Sequence, residues 1–274
     1  MTETTFQDPS WIRLGFFLGV LLLCALWENK LPRKTLTASR GFRWVNNLSL
    51  VAVNSLIVAL VMPIAAFQAA IIAQEQQWGG LFNLLSLPAW LNVLLAVILL
   101  DFVIYVQHVV FHYVKPLWKL HRMHHADLDI DVTTGARFHP IEIIISMGVK
   151  IATVFILGVS PIAIVVFEIV LNASAMFNHS NAKLALSADQ KLRNVIVTPD
   201  MHRVHHSVIA KETNSNFGFF LSVWDRLFGT YRAQPELGHD DVVIGIPEIR
   251  NEAEQRLDKL LTQPFRYNRR RRNS

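Results

Sequence analysis

Long apolar blocks, set apart by polar and often basic segments, constrain this 274-residue chain more than any other feature. About twenty apolar residues cross a bilayer as a helix, because each adds about 1.5 Å and the helix satisfies its own backbone polar groups. Residues 11–27 make a short span of this kind. Residues 45–73 are long enough to span with tilt, with a kink expected at Pro63. Residues 90–114 make a third span. The block 141–177 is too long for one simple helix, and Gly158 and Pro161 divide it near 141–157 and 162–177. Those halves predict a helical hairpin that enters the membrane and returns to the same side. With 52% hydrophobic residues, the chain reads as an all-α, multi-span membrane bundle of three spans plus a hairpin, not an ordinary soluble domain.

Charge gives the bundle an orientation. The loop after the first span carries Lys30, Arg33, Lys34, Arg40 and Arg43, whereas residues 74–89 hold no Lys or Arg. The positive-inside rule puts the first loop in the cytoplasm and the second outside. The third span then delivers Lys115, Lys119, Arg122 and Arg137 to the cytoplasm, and the hairpin returns there. The first block has no basic region ahead of it and no small-residue cleavage site after it, so it is expected to be a retained span. The net charge of +5 also draws on a tail with Arg266, Arg269, Arg270, Arg271 and Arg272. That tail reads either as a solvated end or as a contact for anionic lipid headgroups; nucleic acid is not expected as a partner. A single cysteine, Cys24, excludes intrachain disulfides and thiolate metal clusters.

Eight of the eleven histidines form three tight groups: His108 and His112, then His121, His124 and His125, then His202, His205 and His206. Imidazole is the usual nitrogen ligand for iron, zinc and copper. Offsets of three and four place each group on one face of a helix, so its rings can converge. Adjacent His124 and His125 could then serve different metals. The third group has a clear helix start in Thr198 as N-cap and Pro199 at the first helical position. Eight nitrogens are too many for one tetrahedral zinc and suit two metals.

Further residues surround these groups. His179 lies where the hairpin returns and is expected to be a ninth ligand. His139, at the hairpin's start, is either a ligand or a neighbour of one. His239, in a polar loop, is expected to be solvated. Asp101 and Tyr105 precede His108 by seven and three residues on the same helical stripe. Asp101 either orients a metal-bound imidazole or makes an interhelical hydrogen bond. Glu168 has the same two readings, function or structural pairing. Residues 224–230 read as a packed turn that docks the cap, and residues 247–261 as an amphipathic surface helix.

These motifs in this order resemble the fatty acid hydroxylase/sterol desaturase superfamily of integral membrane di-iron enzymes. The resemblance covers residues 101–231 and includes the three histidine groups, Arg137-x-His139-Pro140-x-Glu142, Asn178-His179, Thr198 to Ser207, Asn216-Phe217-Gly218 and Trp224-Asp225-x-x-Phe228-Gly229-Thr230. It implies a non-haem site of two iron ions, with zinc as a possible substitute, that uses O2 and two electrons to hydroxylate or desaturate a lipid C–H bond. His108, His112, His121, His124, His125, His179, His202, His205 and His206 are the implied ligands, with Asp101, Tyr105 and Glu142 as catalytic residues. Some relatives carry a further histidine where this chain has Ala175, which leaves the ligand count open. Three regions follow: N-terminal spans over 1–100, the catalytic region over 101–232, and a cytoplasmic helix and basic tail over 233–274. No dinucleotide fingerprint, iron–sulfur cysteine motif or His-Pro-Gly-Gly haem motif is present, so a separate ferredoxin or small cytochrome is expected to supply electrons. The residues alone leave two other readings, a membrane zinc hydrolase and a non-catalytic metal- or lipid-binding membrane protein. Sterols, fatty acyl lipids, alkylglycerols and carotenoids all fit as substrates.

Overall fold

The structure, a computed structural model, describes residues 9–78, 80–85 and 87–266. Helices dominate, and among the described residues the only extended pairing is four isolated bridges. In chain order come α1 (Ser10–Lys30), α2 (Arg40–Val61), α3 (Ala66–Glu75), α4 (Leu81–Leu84), α5 (Ala89–Tyr113), α6 (Lys115–His125), α7 (Pro140–Leu157) and α8 (Pro161–His179). Shorter helices follow: α9 (Leu186–Leu192), α10 (Pro199–His205), α11 (Ala210–Thr213), α12 (Val223–Leu227), α13 (Gly238–Asp241) and α14 (Leu257–Arg266).

Five segments are long and apolar enough to cross a membrane: Ser10–Lys30, Arg40–Glu75, Ala89–Tyr113, Pro140–Leu157 and Pro161–His179. The chain is an integral membrane protein, and large apolar side chains point outward from it, as on Trp11, Leu23 and Leu60 of α1 and α2. Block 45–73 is broken rather than kinked. Met62 turns extended, Pro63 cannot continue the ladder, and α3 restarts at Ala66. The hairpin turns at Gly158, whose φ of +68° suits a residue without a Cβ, and α8 restarts with Pro161 in its first turn. Gly80 lies against this turn, so close that a Cβ on it would come within 2.1 Å of the Gly158 nitrogen.

The main core joins α3, α5, α7 and α8. Ala66, Ala69, Ala70, Ala96 and Ala163 let these helices approach closely, which is how helices pack where lipid supplies no hydrophobic drive. α1 packs on α8, and α2 packs on α7. α1, α5 and α8 all end at the same end of the bundle, and the short helices α6 and α10 cover it. The expected surface helix over 247–261 is shorter and later: a 3₁₀ turn spans Glu252–Gln255 and α14 begins at Leu257. Arg269 to Arg272 lie outside the described residues.

Candidate metal centre

Local sequence places each histidine. His108 and His112 sit one turn apart on α5. Pro116 starts α6, which carries His121, His124 and His125. The Thr198 side chain accepts from the Met201 nitrogen to cap α10, with Pro199 in its first turn, and α10 presents His202 and His205, with His206 just after it. His179 is the last residue of α8. Tertiary packing then sorts all nine into two buried groups: His108, His112, His121, His125 and His205 in one, and His124, His179, His202 and His206 in the other. Within each group the candidate ligand nitrogens lie within 4.8 Å of one another. The neighbours His124 and His125 go to different groups, as do His205 and His206.

The hydrogen bonds at the far side of the rings fix their tautomers. Nδ1 of His108 donates to the Phe217 carbonyl at 2.7 Å, that of His205 to Ser215, that of His179 to Ala175 and that of His124 to Arg137. Carbonyls only accept, so each Nδ1 carries the proton and each Nε2 presents a lone pair. Yet Nε2 of His108 stands 3.1 Å from Nε2 of both His121 and His205, and Nε2 of His179 stands 3.1 Å from that of His124. Two lone pairs at that distance repel unless a cation lies between them. His202 and His206 also bring their Nε2 atoms to 3.0 and 3.1 Å from that of His179. Burial holds His121 down to about 3 and, with their histidine neighbours, holds His124, His125, His202, His205 and His206 well below the ordinary imidazole value. Neutral, inward-facing imidazoles are the form that binds metal, so these residues fit two metal ions.

The carboxylate behind the rings is Glu142. Its Oε1 accepts from His121 Nδ1 at 2.7 Å, the carboxylate–histidine arrangement that orients a ligand. Asp101 lies elsewhere: it accepts from the backbone of Phe220 and Leu221 and from Trp224 Nε1 at 2.8 Å, which fastens α12 and the segment before it to α5. Tyr105 bonds Thr230 Oγ1 at 2.9 Å, on that same closing segment. His139 belongs to neither group; its Nδ1 accepts from the Ile141 nitrogen at the start of α7 and its Nε2 meets the Leu261 carbonyl. His239 is buried, not solvated, 3.8 Å from Asp200.

A sequence model of the fatty acid hydroxylase family matches residues 93–230, half of the chain. The chain belongs to the fatty acid hydroxylase family. The match contains all nine clustered histidines and Glu142. An ornithine lipid hydroxylase of Rhizobium tropici is 28% identical over 158 residues, covering 57% of this chain and 46% of that protein. Human alkylglycerol monooxygenase is 28% identical over 167 residues, covering 57% and 34%, and its Xenopus tropicalis counterpart 27% over 180, covering 64% and 39%. The chain thus spans less than half the length of each of these relatives. No solved structure matches it.

One part of this family member's site has a sequence signal that spacing of histidines does not reveal. Asp127, Asp129 and Asp131 alternate directly after His125. Arg43, counted above as a loop charge, is wholly buried and forks onto Asp127 at 2.6 and 2.8 Å and Asp131 at 2.7 Å. Arg137 joins them, with its Nη1 3.8 Å from Asp127 Oδ1 and its Nε donating to the Met123 carbonyl at 3.0 Å. The network ties α2 to the chain leaving α6, and one of its members, Arg137, supplies the carbonyl that His124 meets.

Proposed function

We propose that this chain is a membrane-bound, O2-dependent lipid hydroxylase with two iron ions held by the nine histidines. The observation that carries the reading is the pair of neutral imidazole groups whose lone pairs face one another. The first group offers five nitrogens, one more than a tetrahedral structural zinc takes, and iron accepts higher coordination. Bound iron supplies the redox and oxygen chemistry. The protein's own share is to hold the rings in one tautomer, exclude bulk water by burial, and set a lipid chain against His108 and His121. Glu142 orients His121. Asp101 and Tyr105 act at one remove, by holding the segment 216–231 whose Phe217 carbonyl fixes His108. Hydroxylation is favoured over desaturation because the similar proteins are named hydroxylase and monooxygenase. A lipid enters sideways from the bilayer, and a separate ferredoxin or small cytochrome delivers electrons to the face with the histidines, which the loop charges put in the cytoplasm.

The test is metal analysis joined to turnover. Purified chain is expected to hold two irons and to form hydroxylated lipid only with both O2 and a reductant. His205→Ala and His206→Ala, neighbours in sequence, are each expected to lower the iron content in a different group and to stop turnover. Full activity in folded, iron-loaded His205→Ala protein, or turnover without O2, contradicts the assignment.

A further inference from the structure

The histidines stand at one end of a cavity of about 550 Å³ that runs through the membrane-spanning bundle. It lies between two packed pairs, α1 on α8 and α2 on α7. His108, His121 and Glu142 line its metal end, and apolar side chains such as Phe17, Val51 and Met176 line its length. The far end is charged. There Arg13 from α1, Lys150 from α7 and Glu168 from α8 all line the cavity, and both cations meet Glu168. Arg13 Nη1 donates to Glu168 Oε2 at 2.5 Å, and Lys150 Nζ donates to Glu168 Oε1 at 3.3 Å.

All three residues sit in segments apolar enough to span. Charged side chains at such depth are costly, face an interior or cavity, and mark ligand paths. Glu168 is already held by Arg13, so Lys150 is the more weakly engaged of its two cations. Lys150 has three N–H donors, and its one bond to Glu168 is long. On α7, Lys150 follows Glu142 by eight residues, so the charged and metal ends are about 12 Å apart along that helix.

We propose that Lys150 is the receptor for the anionic head, carboxylate or phosphate, of the lipid whose chain runs along the cavity to the histidines. This rests on the lipid-hydroxylase reading above. The mostly apolar walls, with Asn54, Gln107 and Asn172 among them, favour an amphiphile over a water-soluble anion. With the head fixed, the hydroxylated carbon is counted from the head, about 10–12 Å along the chain, not from the terminal methyl.

Binding to the full, metal-loaded chain in a non-ionic detergent tests this without turnover. The probes are oleate, 1-oleoyl lysophosphatidate and oleyl alcohol, which share a chain and differ in head. At least one anion is expected to bind about tenfold or more tightly than the alcohol, the worth of a hydrogen bond to a charged group. Which anion leads identifies the head as carboxylate or phosphate. Lys150→Met should erase the preference and Lys150→Arg keep it, each with unchanged iron content. Glu168→Gln removes the competing carboxylate and should tighten anion binding, whereas a mere helix clamp would loosen. Equal binding of all three probes to the wild-type chain overturns the proposal, as does an intact preference in folded Lys150→Met protein. Anion preference without any O2-dependent product would leave the receptor standing and remove the hydroxylase reading instead.

Discussion

Glu142 illustrates how one residue outside the histidine set governs the centre. It is the carboxylate that holds a clustered ring, and it does so from the first turn of α7, across from α6. Glu142→Gln keeps the shape but weakens the bond to His121 Nδ1. The expected result is a loss of about 10–100-fold in metal affinity, confined to the five-histidine group and read by chelator competition. Asp127 works by charge. Burial pushes its carboxyl up, but Arg43 and Arg137 outweigh this and hold it down at about 2, from an ordinary 3.8. A carboxylate with a lowered folded value stabilises the fold above its unfolded value. That stabilisation is lost as pH falls through the folded one, here between about pH 4 and 2. Asp127→Asn leaves Arg43 and Arg137 short of a buried partner and should cost about 3–5 kcal/mol at neutral pH. Thermal unfolding against pH checks both: the gap between wild type and variant should be full at pH 7 and shrink on acidification through that window.

At the scale of elements, the hairpin and the break after α2 decide how the bundle closes on the side away from the histidines. Gly158 ends α7 in a left-handed conformation, and Gly80 packs its bare Cα against that turn. Gly80→Ala puts a methyl group where backbone already lies and should destabilise by more than about 1 kcal/mol, within the usual range for overpacking. Gly148 is a useful contrast, since a Cβ there meets nothing within 4 Å. Gly148→Ala should be neutral, or stabilising by up to about 1 kcal/mol through helix propensity. Of the two variants only Gly80→Ala should lower the melting temperature; a Gly80→Ala protein as stable as wild type would refute the close packing. Helix starts at Thr198–Pro199 and at Pro161 were readable because capping and proline effects act within a few residues. The split of 45–73 was only half readable. Pro63 signals an interruption, but whether the chain bends or restarts depends on what α3 packs against.

Across the whole molecule, all nine clustered histidines gather at one end of the helices, the end that the proposed orientation puts in the cytoplasm. Cys24 is buried and is the only cysteine, so introduced thiols report sidedness cleanly. In intact cells an impermeant maleimide should label Gln76→Cys, in the loop without Lys or Arg, and should label Lys191→Cys only after permeabilisation. The reverse pattern would invert the orientation. Sequence by itself determined the spans, the hairpin, the helix faces and the nine histidines, because apolar length and helical period are local properties of the chain. Only the tertiary structure decided the division into five and four, the choice of Glu142 over Asp101 behind a ring, and the burial of Arg43 and His239. Those outcomes depend on which side chains arrive from other helices, and spacing along one helix carries no information about what faces it.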